Sequence, residues 1–118
     1  MDLEQLRKFC LSKPGAVETF PFDPVTLVLK VGGKMFALIS LDESPLRINL
    51  KGDPNDNEIL RQQFPAIIPG YHMNKRHWNT VILDNSLPDE LILDQIDISY
   101  GIVFASLPRK IRDSKDYR

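Results

Sequence analysis

Residues 26–51 read TLVLKVGGKMFALISLDESPLRINLK. Three apolar segments are divided by two short turns. In Thr26–Val31, Leu27, Leu29 and Val31 alternate with Thr26, Val28 and Lys30. Gly32-Gly33 suits a two-residue hairpin, because glycine reaches the positive φ such turns require. Lys34–Leu41 makes a second strand and Asp42-Glu43-Ser44-Pro45 the next turn. In Leu46–Lys51, Leu46, Ile48 and Leu50 alternate with Arg47, Asn49 and Lys51. Both turns are too short for a parallel crossover. The segment is therefore read as an antiparallel meander with one packed face and one polar face.

Working outward, Asp2 can cap a helix over 2–13, where Leu3, Leu6, Phe9 and Cys10 share a face and Pro14-Gly15 stops the chain. Residues 14–24 hold three prolines and read as a loop, pinned to the core by Phe20 and Phe22. Beyond the meander, Asp53 caps a helix with Pro54 in its first position. Ile59, Leu60 and Phe64 form its apolar face. Residues 65–75 read as loop, and His77–Leu83 as a strand with Trp78, Thr80 and Ile82 on one side. Pro88 opens a last helix reaching about Leu107, with Ile92, Ile96, Tyr100, Val103 and Leu107 at helical spacing. Residues 109–118 have little to bury and read as a frayed basic tail. The expectation is one α+β domain over 1–118, an antiparallel sheet with helices on one face. Its core is expected to hold Leu6, Phe9, Leu29, Ile48, Leu60, Trp78, Ile96, Tyr100 and Val103.

The totals remove several classes. A hydrophobic content of 42% excludes a disordered chain, which lacks the apolar surface to offset chain entropy. No apolar run approaches the 20 or so residues of a membrane span. Cys10 is the single cysteine, so no internal disulfide can form. The opening MDLEQLRKFC carries acids where a signal peptide carries bases. These features lead to the expectation of a cytoplasmic protein without membrane attachment. A net charge of −1 weighs against a strong non-specific nucleic-acid binder. The charges are uneven, however. Residues 84–97 hold Asp84, Asp89, Glu90, Asp94 and Asp97 without a base, while 105–118 hold Arg109, Lys110, Arg112, Lys115 and Arg118 against Asp113 and Asp116. A neutral total can hide a local basic face.

The densest polar run is Tyr71-His72-Met73-Asn74-Lys75-Arg76-His77-Trp78-Asn79. A metal or nuclease site on His72, Asn74 and His77 would need Cys or carboxylate partners, and none lies within the run. Phosphate or nucleic-acid contact by Lys75 and Arg76, with Tyr71, His72 or His77 nearby, fits the basic and aromatic composition. The plain alternative is a solvated loop edge bearing Lys75 and Arg76, with Tyr71 and Trp78 in the core. Lys30, Arg47 and Lys51 take outward strand positions, as a basic surface or as an ordinary solvated face. Cys10 lies on an apolar helix face without a basic activator, so a nucleophilic role is not expected. There is no phosphate loop, nucleophile elbow or dinucleotide fingerprint. The sequence thus implies no enzyme, cofactor or bound metal.

Several pieces together resemble the MmcQ/YjbR family of small bacterial proteins. They are Pro14-Gly15, Pro21-Phe22-Asp23, the hairpin Lys30-Val31-Gly32-Gly33-Lys34-Met35-Phe36-Ala37, and Pro69-Gly70-Tyr71-His72-Met73-Asn74-Lys75-Arg76-His77-Trp78. Ser99-Tyr100, Val103 and Leu107-Pro108 complete the pattern, which spans nearly the whole chain. The resemblance implies a two-layer α+β fold ordered α-β-β-β-α-β-β-α. It also implies the family's DNA-binding label, with hairpin wings touching double-stranded DNA. On that reading Lys75 and Arg76 contact phosphates, assisted by Lys30, Lys34 and Arg47. The rival reading is a protein-interaction module whose open sheet face carries Phe36 or Leu38.

Overall fold

The structure, a computed structural model, describes residues 1–114. Lys115, Asp116, Tyr117 and Arg118, the end of the expected frayed tail, lie outside the described residues. The chain opens with α1 (Leu3–Leu11). The Asp2 carboxylate accepts from the Gln5 N–H (2.8 Å), and the Gln5 side chain accepts from the Asp2 N–H (2.9 Å). This reciprocal box satisfies two helix-end donors. There follow β1 (Val17–Thr19), β2 (Thr26–Val31), β3 (Lys34–Ser40), β4 (Arg47–Lys51), α2 (Pro54–Gln63), β5 (Ile67–Pro69), β6 (Trp78–Ile82), α3 (Asp89–Ala105) and the single turn α4 (Arg109–Arg112).

The strands form one sheet in the order β1-β2-β3-β4-β6-β5, antiparallel at every step. The meander is β2–β3–β4, as the two short turns require. Gly32 and Gly33 have φ of 57° and 81°, the pair of positive values that matches hairpin twist. The fold class and the order of the larger elements agree with the sequence reading.

Two strands read as loop are the differences. β1 is three residues pairing Val17–Thr19 with Val28–Lys30, too short to show an alternation between its flanking prolines. β5 ends at Pro69, which an edge strand tolerates because its outer side needs no ladder donor. Part of the tail also has structure, since Arg109–Arg112 form a helical turn.

All three long helices pack on one face of the sheet. Leu6 and Cys10 of α1 and Ile92, Ile96 and Val103 of α3 join Leu27, Leu29, Val31, Ile39, Ile48 and Val81 in one buried cluster. Leu60, Phe9 and Tyr100 pack against it while partly exposed. A bulge shapes this face. Leu29 pairs with Ala37 but Lys30 with Met35, which leaves Phe36 as the extra residue. The Phe36 ring is thereby buried on the helix side, edge-on to Tyr100 at 5.3 Å. The Ser99 hydroxyl of α3 donates to the Phe36 carbonyl (2.5 Å) and accepts from the Lys51 N–H (2.8 Å), tying the helix to the bulge and to the end of β4.

Three expected packing residues are placed differently. Phe20 and Phe22 do not pin their loop; they are 51% and 64% exposed. The loop is held instead by Asp23, whose carboxylate accepts from the Val25 and Thr26 N–H groups at 2.9 and 2.7 Å. Those bonds favour the ionised form and hold this carboxyl below its ordinary range. In α2, Ile59 is exposed and Asn57 is buried, so a polar residue takes the inward position expected for an apolar one.

Candidate nucleic-acid interface

The face of the sheet without helices is built by strand alternation. It carries Val28 and Lys30 from β2, Leu38 from β3, Arg47, Asn49 and Lys51 from β4, and Trp78 and Thr80 from β6. Register sets these in rows. Thr26, Ser40, Arg47 and Ile82 are cross-strand neighbours, as are Val28, Leu38, Asn49 and Thr80. Lys51 pairs with Trp78, and its Nζ lies 6.0 Å from the indole centroid. Val28, Leu38 and Trp78 form a small buried cluster against which Met35 and Met73 pack. Trp78 is buried, as the sequence implied, but on this second face and apart from the helix-side core.

Met73 belongs to the loop 70–77, which leans over the open face and shields its centre. Gly70 permits the approach: a Cβ there would stand 2.8 Å from the Trp78 Cβ. The Tyr71 N–H donates to Thr80 Oγ1 at 3.0 Å. The Asn74 side chain accepts from the Arg76 and His77 N–H groups at 3.0 and 3.3 Å, a local turn of the kind Asn favours. His72 takes a positive φ of 58°.

From the other side, α2 clamps the same loop. Asn57 Nδ2 donates to the carbonyls of Gly52 (3.3 Å) and Arg76 (3.1 Å). Arg61 donates through Nε to Asn79 Oδ1 (2.6 Å) and through its terminal nitrogen to the Trp78 carbonyl (3.2 Å) and the Lys75 carbonyl. Sequence reasoning missed Asn57 and Arg61, because the apolar pattern of α2 drew attention to Ile59. The available signal was a helix whose long polar residues recur every four positions, Asn57 and Arg61, on the side of Leu60.

The expected site residues divide into three groups. Tyr71, His72, Lys75, Arg76 and His77 are all exposed on the 70–77 loop. Lys30 and Arg47 stand on the open face, where Lys51 joins them. Lys34 is separate: its Nζ reaches the Ser106 hydroxyl (3.3 Å) and carbonyl (3.5 Å) at the end of α3, because the hairpin tip turns toward the helix layer.

No open-face strand position of β2, β3, β4 or β6 holds an acid. Asp23, Asp42 and Glu43 stand in turns at the end of the sheet where Arg47 lies. Glu18, on the other face of β1, is engaged by Arg7 at 2.9 Å. Arg47 Nε is buried and has no acceptor among the described residues.

Phe36, one of two residues expected on the open face, lies in the helix-side core because of the bulge. Leu38 is on the open face, but only 5% exposed. Among the described residues no group of three or more His, Cys, Asp or Glu side chains is placed to hold a metal. Cys10 is buried in the core, and burial pushes its thiol up to about 12, so it is not a thiolate near neutrality. No helix among the described residues is long and apolar enough to cross a membrane.

An antiparallel six-stranded sheet with helices on one face, and cations with a clamped aromatic loop on the other, defines a small α+β protein built around one bare face. The YjbR family model matches residues 11–102, and the chain belongs to the YjbR family. It is 38% identical over 112 residues to the uncharacterised protein YjbR of Escherichia coli K12, covering 95% of each chain. It is 37% identical over 115 residues to the uncharacterised protein YbdF of Escherichia coli O157:H7, covering 98% of this chain and 93% of that one. The crystal structure of Deinococcus radiodurans DR2400 superposes with a TM-score of 0.89 at 44% identity, over 93% of this chain and 84% of that one. A Pseudomonas syringae protein gives 0.76 at 27% identity, over 87% and 99%.

Proposed function

We propose that the protein is a non-enzymatic, cytoplasmic DNA-binding module that contacts phosphates from its open sheet face and the adjoining loop. The observation that carries this reading is the placement of Lys30, Arg47 and Lys51 on one sheet face whose strand positions hold no carboxylate, beside exposed Lys75 and Arg76. Arg47 adds a guanidinium whose Nε has no acceptor among the described residues. The net charge of −1 does not oppose this, because counterion release depends on the charges in contact rather than on the total. Phosphate contacts position a strand without reading its sequence, so binding should be insensitive to base order. A protein partner on the same face would find Leu38, Val28 and Trp78 already buried.

The test is affinity for random-sequence DNA across a salt series. The wild type should bind at low salt and weaken steeply as salt rises. The double variant Lys75→Ala/Arg76→Ala should lower the salt slope by about two, one for each lost contact. Its folding free energy should change by less than about 0.5 kcal/mol, as for most exposed positions. Absence of binding at low salt, or an unchanged slope in a folded double variant, refutes the reading.

A further inference from the structure

We propose that the DNA taken by this face is single-stranded, with the Tyr71 ring serving as a platform on which an unpaired base stacks. The inference rests on the DNA-binding reading and specifies its ligand.

Every long helix lies on the far side of the sheet, so the cationic face has no helix to lay into a major groove, the groove that distinguishes all base pairs. It offers exposed rings instead. Tyr71 is 65% exposed, although its backbone is fixed to Thr80 and its loop is clamped by Asn57 and Arg61. The His72 ring lies 4.0 Å from it, tilted by 50°. A ring displayed on a held backbone loses little freedom when it binds. Phe20 and Phe22, 51% and 64% exposed, occupy the turn between β1 and β2 at the end of the sheet where Arg47 lies.

In a duplex the faces of the bases are already occupied by their neighbours, and exposing one requires unstacking. Unpaired bases have free faces, and an aromatic ring stacks on any of them without regard to sequence. Lys30, Arg47 and Lys51 meet the backbone between the rings, their Cα atoms within about 16 Å by strand geometry. Trp78, the largest ring of the face, is excluded as a platform because it is 8% exposed.

The experiment measures fluorescence anisotropy with a dye-labelled mixed-sequence oligonucleotide, offered as a single strand and as its duplex, at two salt concentrations. The single strand should bind at least about 10-fold more tightly. Tyr71→Ala should weaken single-strand binding by about 10-fold, Tyr71→Phe should keep it, and neither should change duplex binding or the salt slope. Phe22→Ala, at an independent exposed position, should weaken the single strand alone by a smaller factor. Circular dichroism on each variant reports that it is folded. Equal or tighter duplex binding, or a folded Tyr71→Ala variant with unchanged single-strand affinity, overturns the proposal. Salt-sensitive binding to both forms alike would leave the DNA-binding reading standing and remove this one, whereas binding to neither form removes both.

Discussion

On the helix side of β2, β3 and β4, the strand positions are Leu27, Leu29, Ala37, Ile39, Ile48 and Leu50, all buried. On the other side the same strands present Val28 and Leu38, then Lys30, Arg47, Asn49 and Lys51. The first face is apolar to its margins and takes α1 and α3 as its cover. The second is apolar only at its centre, where a loop rather than a helix closes over it. A face with cations at its edges cannot receive another helix without burying unpaired charge. It can hold a short loop over the middle and leave the charges in water. The contrast shows how a two-layer protein keeps one side of its sheet ordered yet available.

Removing the largest ring from each face tests that contrast most strongly. Phe36→Ala should destabilise by about 3–5 kcal/mol, the range for aromatic truncation in a packed core. Trp78→Ala should fall at the lower end, about 3 kcal/mol, because its cluster is small and lies under a loop. Urea denaturation measures both through the transition midpoint and slope. A Trp78→Ala loss below about 1 kcal/mol would mean that the open face has no core of its own.

The next effect belongs to the helix side alone. Ser99 is fully buried and serves two backbone groups, the Phe36 carbonyl and the Lys51 N–H. Ser99→Ala leaves both without a partner, and a stranded buried polar group costs about 1–3 kcal/mol. A loss of about 2 kcal/mol is expected on the same denaturation scale. No measurable loss would show that the bulge does not depend on α3.

These two residues also mark what was legible beforehand. The meander was readable because Gly32-Gly33 and the turn at 42–45 leave no other connection, and Leu46–Lys51 alternates without interruption. The bulge was not readable. Met35-Phe36-Ala37-Leu38 is apolar throughout, so alternation within it carries no phase, and Phe36 could be assigned to either face. The site was half legible. The run 71–79 announced its own charge and aromaticity, and Lys30 and Arg47 followed from strand phase. Lys51 stood in the same phase and was named with them as an outward cation, though not among the DNA contacts. The clamp by Asn57 and Arg61 depends on which side of α2 meets β6, a tertiary fact that overrides local apolar pattern.

A smaller effect depends on pH. The Cys10 thiol is pushed up to about 12 from an ordinary 9.0 by burial. The unfolded chain releases this proton first, so the folded state binds more protons between those values. Stability from Cys10 is therefore fully present below pH 9.0 and declines as pH rises toward 12. Comparing wild type with Cys10→Val from pH 8 upward on the same urea scale should show a steeper fall in the wild type above about pH 9. Parallel curves would mean that the thiol reaches solvent in the folded state.

The smallest expected effect concerns Phe20 and Phe22. By composition they belong in the core, since a phenylalanine in a proline-rich loop usually packs inward, and the sequence alone places them there. In the folded protein both rings are mostly in water, and the loop owes its shape to Asp23 and its bonds to Val25 and Thr26. Removing rings that are already exposed takes little apolar surface out of the folded core. Phe20→Ser/Phe22→Ser should therefore change stability by no more than about 0.5 kcal/mol. Asp23→Ala, which removes the carboxylate accepting from two backbone N–H groups, should have the larger effect, about 1 kcal/mol. If the double serine variant instead loses about 2 kcal/mol or more, the rings are packed in solution and unavailable to a base. That outcome would make the turn part of the core and leave the loop rings, Tyr71 with His72 beside it, to meet a base at the open face.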